Sequence, residues 1–159
     1  MRFGPINIFG AVIVALLLIP NGVYALLRGG ERNRCANPGM NILEQASRYG
    51  CIILMWLPLL MPRGEFGFGS VEECLLYLLG NGALLAAYWT LYILYFLRKS
   101  GTRRLALAAL PACIFLLSGL LLRHWLLVGF AVLFAVGHLY VTGKTGIAPD
   151  RKIPAEKGN

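Results

Sequence analysis

Residues 105–141 read LALAALPACIFLLSGLLLRHWLLVGFAVLFAVGHLYV, and where this run is cut decides the fold. Uncut, it would be a single helix about 55 Å long at ~1.5 Å per residue, against a hydrocarbon core about 30 Å thick. Its middle would hold Arg123 and His124. An ionisable side chain at that depth costs about 2.5–3.5 kcal/mol on insertion scales. Cut at that pair, the run becomes two antiparallel membrane helices joined by a tight hairpin. The hairpin would be a solvated turn at the interface, with Trp125 as an aromatic anchor.

Three more apolar runs lie upstream, at about 6–27, 42–61 and 71–97, beside 105–122 and 125–141. A membrane helix needs about 20 residues, with a range of roughly 17–25. All five qualify, so the chain reads as all-α, a bundle of five transmembrane helices over 1–143. Residues 144–159 then form a short polar tail. The first run has only Arg2 ahead of it and no small-residue cleavage pattern before the next loop, so it is expected to remain as a span.

Composition agrees. The chain of 159 residues is 58% hydrophobic and 14% charged, with a mean hydropathy of +0.68. Soluble domains average about 45–50% apolar and 25% charged residues. A water-soluble fold of this size could not hide so much apolar surface. The net charge of +8 therefore points to membrane orientation and anionic lipid. No nucleic-acid-binding signature accompanies it, and no nucleic acid is expected as a partner. Cys35, Cys51, Cys74 and Cys113 have neither C-x-x-C nor Cys/His spacing. They read as small packing residues, and no metal or cofactor is expected.

Punctuation marks the helix ends. Gly29-Gly30 closes the first. The second can start from Asn37 with Pro38 behind it, or from Asn41 with Glu44 three residues on. Ser70-Val71-Glu72-Glu73 is a capping box with carboxylates on a positive helix end. Pro111 predicts a kink in the fourth helix.

Lysine and arginine counts set the orientation. Arg28, Arg32, Arg34, Arg98, Lys99, Arg103, Arg104, Lys144, Arg151, Lys152 and Lys157 fall on one side. Arg2, Arg63 and Arg123 fall on the other, offset by Glu65, Glu72 and Glu73. The positive-inside rule places the N-terminus outside and the C-terminus in the cytoplasm of a bacterial plasma membrane. The basic cytoplasmic loops would meet anionic lipid.

The second helix carries an unusual stripe. Asn41, Glu44, Gln45, Arg48 and Cys51 recur at helical spacing and share a face. Leu43, Ala46, Gly50 and Leu54 lie opposite. Glu44 can be read as a cap paired with Arg48 at i+4, with Arg48 reaching headgroups. It can also be read as part of a ligand or proton site. Asn21, His138 and a column of Tyr88, Trp89, Tyr92 and Tyr95 reach comparable depth in the same half of the membrane. The tyrosines suit an aromatic belt or a binding cage, and His138 an interhelical hydrogen bond or a titrating ligand. Asn21 and Asn81 suit interhelical contacts. The candidate ligand-binding set is Asn21, Asn41, Glu44, Gln45, Arg48, Tyr92 and His138, with no catalytic and no metal residues assigned. Pairs of small residues four apart, including Gly82/Ala86, Ala83/Ala87, Ala108/Ala112 and Ala131/Ala135, allow close helix approach. A homo-oligomer is the expected assembly.

The stretches NILEQASRYGC and LLSGLLLRHWLLVGFAVLFAVGHLYVT, with IPNGVYAL and EFGFGSV, resemble a family of small multi-pass membrane proteins of Gram-positive bacteria. That resemblance implies a membrane fold and no particular activity. Asn41-x-x-Glu44, after an Arg-rich loop and before a second span, is similar to part of the pattern of the MAPEG glutathione-transferase and eicosanoid enzymes. That pattern has an Arg-Ala pair where this chain has Asn37-Pro38, and its fold has four spans. It implies transferase chemistry on glutathione.

Three functions fit these residues. One is a cytoplasm-facing pocket for a small polar molecule, ion or lipid headgroup, serving transport, a channel or sensing. Another is a membrane transferase with His138 or Glu44 as base, although no nucleophile motif or nucleotide loop appears. The third is a non-catalytic subunit that docks another membrane protein through its polar face.

Overall fold

The computed structural model describes residues 6–28, 37–57 and 67–144. They form five helices: α1 Ile8–Arg28, α2 Pro38–Trp56, α3 Val71–Leu97, α4 Gly101–Leu121 and α5 Trp125–Lys144. The architecture is all-α. Four of the five, α1, α3, α4 and α5, are long and apolar enough to cross a membrane. The polar first turns of α2 set it apart from those four. Gly29-Gly30, residues 58–61 and the tail from 145 lie outside the described residues.

Local chemistry explains the boundaries. Asn37, not Asn41, caps α2: its Oδ1 accepts from the Met40 N–H at 3.3 Å, and Pro38 needs no acceptor at the first position. The helix therefore opens ahead of its apolar run. Ser70 Oγ accepts from the Glu73 N–H at 3.1 Å, and Glu73 Oε2 accepts from the Gly69 N–H at 2.7 Å. This is the expected capping box, with its return bond displaced by one residue. Pro111 lies within α4, whose helical assignment continues through it.

The cut at 123–124 is real. Leu122 ends α4, Arg123 takes a left-handed φ of 54°, and α5 begins at Trp125. The turn is not simply solvated, as its charged sequence suggested. His124 is 1% exposed, and its Nδ1 accepts from the Leu127 N–H at 3.0 Å. It satisfies an otherwise orphaned donor in the first turn of α5, so the ring is drawn inward. Arg123 points out and pairs with Glu73 at 2.6 Å.

The helices alternate in direction. α5 packs along α2 and α4, α4 along α3, and α1 more sparsely against α2 and α3. Two glycines set the α2–α5 contact. A Cβ on Gly50 would run into the Phe130 ring, and one on Gly137 would lie 3.1 Å from the Glu44 Cα. Of the small-residue pairs, Ala108, Ala112 and Ala131 are buried at contacts, whereas Gly82, Ala83, Ala86 and Ala87 face outward. Spacing alone does not say which side of a helix meets a neighbour.

Large apolar side chains also cover the outside. Leu26 is 87% exposed, Leu97 76% and Leu79 71%. Contiguous apolar surface of that kind is rare on soluble monomers, and it suits hydrocarbon as solvent.

One end of the bundle gathers Arg98, Lys99, Arg103, Arg104 and Lys144. At the opposite end a polar knot ties the helices together. The Asn7 N–H donates to the Trp56 carbonyl at 2.8 Å and its Nδ2 to the Met55 carbonyl at 3.2 Å. Ser118 Oγ donates to Asn81 Oδ1 at 3.1 Å. Asn81 thus serves as an interhelical contact.

Candidate functional site

The α2 stripe turns inward where α5 lets it. Because Gly137 has no side chain, α5 passes close over the Glu44 backbone, and the next residue, His138, faces the carboxylate. Glu44 Oε1 accepts from Arg48 Nη2 and lies 3.0 Å from His138 Nδ1. The Glu44 side chain is 2% exposed, against 21% for His138 and 36% for Arg48. Asn37 performs the capping, which leaves Glu44 free for this role. The His138 ring stacks on Phe134, one turn earlier, with centroids 4.8 Å apart and planes 15° from parallel. That contact holds the imidazole plane against one face of the ring beside it. A carboxylate accepts only, so His138 Nδ1 is the protonated nitrogen in this pair.

Opposite this cluster stands the tyrosine column. Asn21 Oδ1 accepts from Tyr88 Oη at 3.1 Å and from Tyr92 Oη at 3.2 Å. Tyr24 meets Tyr92 edge-on at 5.9 Å and Tyr95 at 6.3 Å. Tyr24, Tyr88 and Tyr95 are buried. The column is therefore not a lipid-facing belt, because the Tyr88 and Tyr92 hydroxyls are satisfied by Asn21 of α1 and Tyr95 is buried. Pro20, just before Asn21, explains part of this docking. It has no N–H to give to the Leu16 carbonyl, and Trp89 Nε1 donates to that carbonyl at 3.1 Å.

Between the column and the charged cluster lies a cavity of about 450 Å³, lined by all five helices. Asn21, Glu44, Gln45, Arg48, Tyr92 and His138 line it, all from the set expected from sequence. Asn41 does not. One turn before Glu44 at the start of α2, it lies outside the lining, so the stripe contributes from Glu44 onward. Gln45 is largely exposed and stands at the rim. The face judged opposite to the stripe is not idle either. Leu54 is buried beside Cys51, and Gly50 meets α5.

The sequence reading missed Tyr24 and Arg104, which also line the cavity. Both carried a signal. Tyr24 follows Asn21 by three residues, and Arg104 precedes the buried Ala108 and Ala112 at four-residue steps. The neighbouring Arg103 is spent on the α3–α4 connection, its Nη1 donating to the Leu94 carbonyl at 2.9 Å and the Arg98 carbonyl at 3.0 Å. Lys99 sits 5.7 Å from the Tyr24 ring centroid, so the basic end and the cavity adjoin.

Chemically, the site offers guanidinium donors, phenolic and amide groups, and a carboxylate–imidazole pair able to hold or pass a proton. Among the described residues no group of three His, Cys, Asp or Glu side chains could hold a metal ion. No family model, no curated protein and no solved structure matches this chain.

Proposed function

We propose that this is a five-span protein of the bacterial plasma membrane whose cytoplasm-facing pocket binds a small polar molecule, ion or lipid headgroup. Its task would be transport, conduction or sensing. The observation that carries the reading is Glu44, buried against Arg48 and His138 at the wall of a cavity. A charge pair kept only for stability gains little over apolar packing, because desolvation offsets the attraction. Beside an open volume of this size, the charges have a use that a filled core would not need.

Orientation rests on the eleven basic residues assigned to one side against three on the other. α2 completes the count as a span because it runs antiparallel along α5, with its polar half at the basic end. Native mass spectrometry of the detergent-purified chain tests the reading. A retained ligand, lost in Glu44→Gln and Arg48→Met while both variants still insert, supports it. Changes in stability alone, with no ligand in any variant, would reject it.

A second reading draws on the Glu44–His138 contact itself. A carboxylate that orients an imidazole is a common arrangement for a general base, so a transferase using His138 fits the same walls. Glu44→Gln would then abolish turnover and leave ligand bound.

A further inference from the structure

Building on the pocket just proposed, we infer that its ligand is an organic phosphate held chiefly by Arg104, with Arg48 beside it. The charges along the wall do not balance. Glu44 is matched by Arg48 and also engages His138. Arg104 lines the same cavity from the first turn of α4, and its Nε is buried with no hydrogen-bond partner among the described residues. The residue as a whole is half-buried, and a buried N–H without an acceptor is costly. It is tolerated where an anion completes it.

The remaining charge is one positive unit with His138 neutral and two with it protonated. A phosphate monoester carries about −1.5 to −2 at neutral pH, which balances the wall with His138 protonated and leaves at most about one negative charge with it neutral. Guanidinium forks suit phosphate oxygens. Lys99 at the rim adds positive potential on the approach.

The volume argues for an organic body. At about 450 Å³ the cavity falls in the range of small-molecule sites, roughly 300–1,000 Å³. Its non-polar wall includes Leu17, Ile52, Leu107 and Phe115. α1, the most sparsely packed helix, borders the site through Asn21. Either a lipid headgroup or a soluble phosphate ester would satisfy this chemistry.

Thermal unfolding of the detergent-purified full chain separates these cases. The probes are inorganic phosphate, glycerol 3-phosphate, dihexanoyl phosphatidic acid and dihexanoylglycerol. Near saturation, a phosphate-bearing organic probe should raise Tm by about 5 °C. Arg104→Met should weaken that probe at least tenfold, and Arg104→Lys should restore part of the loss. Without ligand, Arg104→Met should unfold no earlier than the parent chain, because among the described residues its buried Nε has no hydrogen-bond partner to lose. Stabilisation by phosphatidic acid alone assigns a lipid headgroup, and by glycerol 3-phosphate a soluble ester. Inorganic phosphate acting as strongly as either ester would overturn the organic body. Dihexanoylglycerol acting alone would overturn the anion while leaving the pocket intact. An unchanged response in Arg104→Met would remove Arg104 from the site. If no probe shifts Tm, the phosphate assignment fails. A ligand seen by native mass spectrometry would then still uphold the pocket, and its absence would reject both.

Discussion

Glu44 shows how one residue acquires its setting from its neighbours. Alone in a membrane helix it would be expelled or neutralised. Here a glycine on α5 admits it, an arginine one turn on matches its charge, and an imidazole takes the same oxygen. Gln at this position keeps an acceptor for His138 Nδ1–H and gives up the charge. Glu44→Gln should therefore cost only about 1–2 kcal/mol in micelle unfolding assays, with ligand loss as its main effect. Arg48→Met should cost more, about 1–3 kcal/mol, since the carboxylate it abandons is nearly sealed from water. The upper part of that range is tempered because Arg48 itself is over a third exposed. If Arg48→Met proved as stable as the parent chain, the buried carboxylate would not depend on Arg48 for its compensation.

At the level of elements, two contacts carry specific consequences. The α2–α5 seam depends on Gly50 lying under the Phe130 ring. Gly50→Ala should destabilise by about 1–3 kcal/mol through overpacking. Combining it with Phe130→Leu should cost less than the sum of the two single changes, a coupling that a double-mutant cycle reads directly. The α1–α3 seam depends on a carbonyl that Pro20 leaves without its helical donor. Trp89→Phe removes its replacement and should cost about 1 kcal/mol. In a Pro20→Ala background the helical N–H returns and the same change should cost less. Equal costs in the two backgrounds would show that Trp89 docks by packing alone. Helix limits were legible where local chemistry marked them, as at the Ser70 cap and the Arg123-His124 pair. They were less legible for α2, where Asn37 and Asn41 were equally plausible caps and the cap geometry chose Asn37.

For the whole molecule, the reading depends on which end faces the cytoplasm. The basic end should be cytoplasmic, so a cysteine placed at Lys144 should be labelled by an impermeant maleimide only after inside-out vesicles are prepared. Labelling in intact cells would reverse the bundle and turn the cavity toward the exterior. Apolar run length, the count of basic residues and turn chemistry are properties of the chain itself, so the sequence determined the helical class, the number of helices and the hairpin at Arg123-His124. The sequence also picked out six of the polar groups on the cavity wall, because a charge or amide within an apolar run is conspicuous wherever it ends up pointing. Which side of each helix faces inward was decided only in three dimensions. Helical spacing fixes neighbours on one cylinder but not the rotation of that cylinder against the next. That rotation comes from packing: Gly137 over Glu44, Phe130 over Gly50, Trp89 on the Leu16 carbonyl. It left Asn41 outside the cavity, brought Arg104 to its wall, and made one site of groups far apart in the chain.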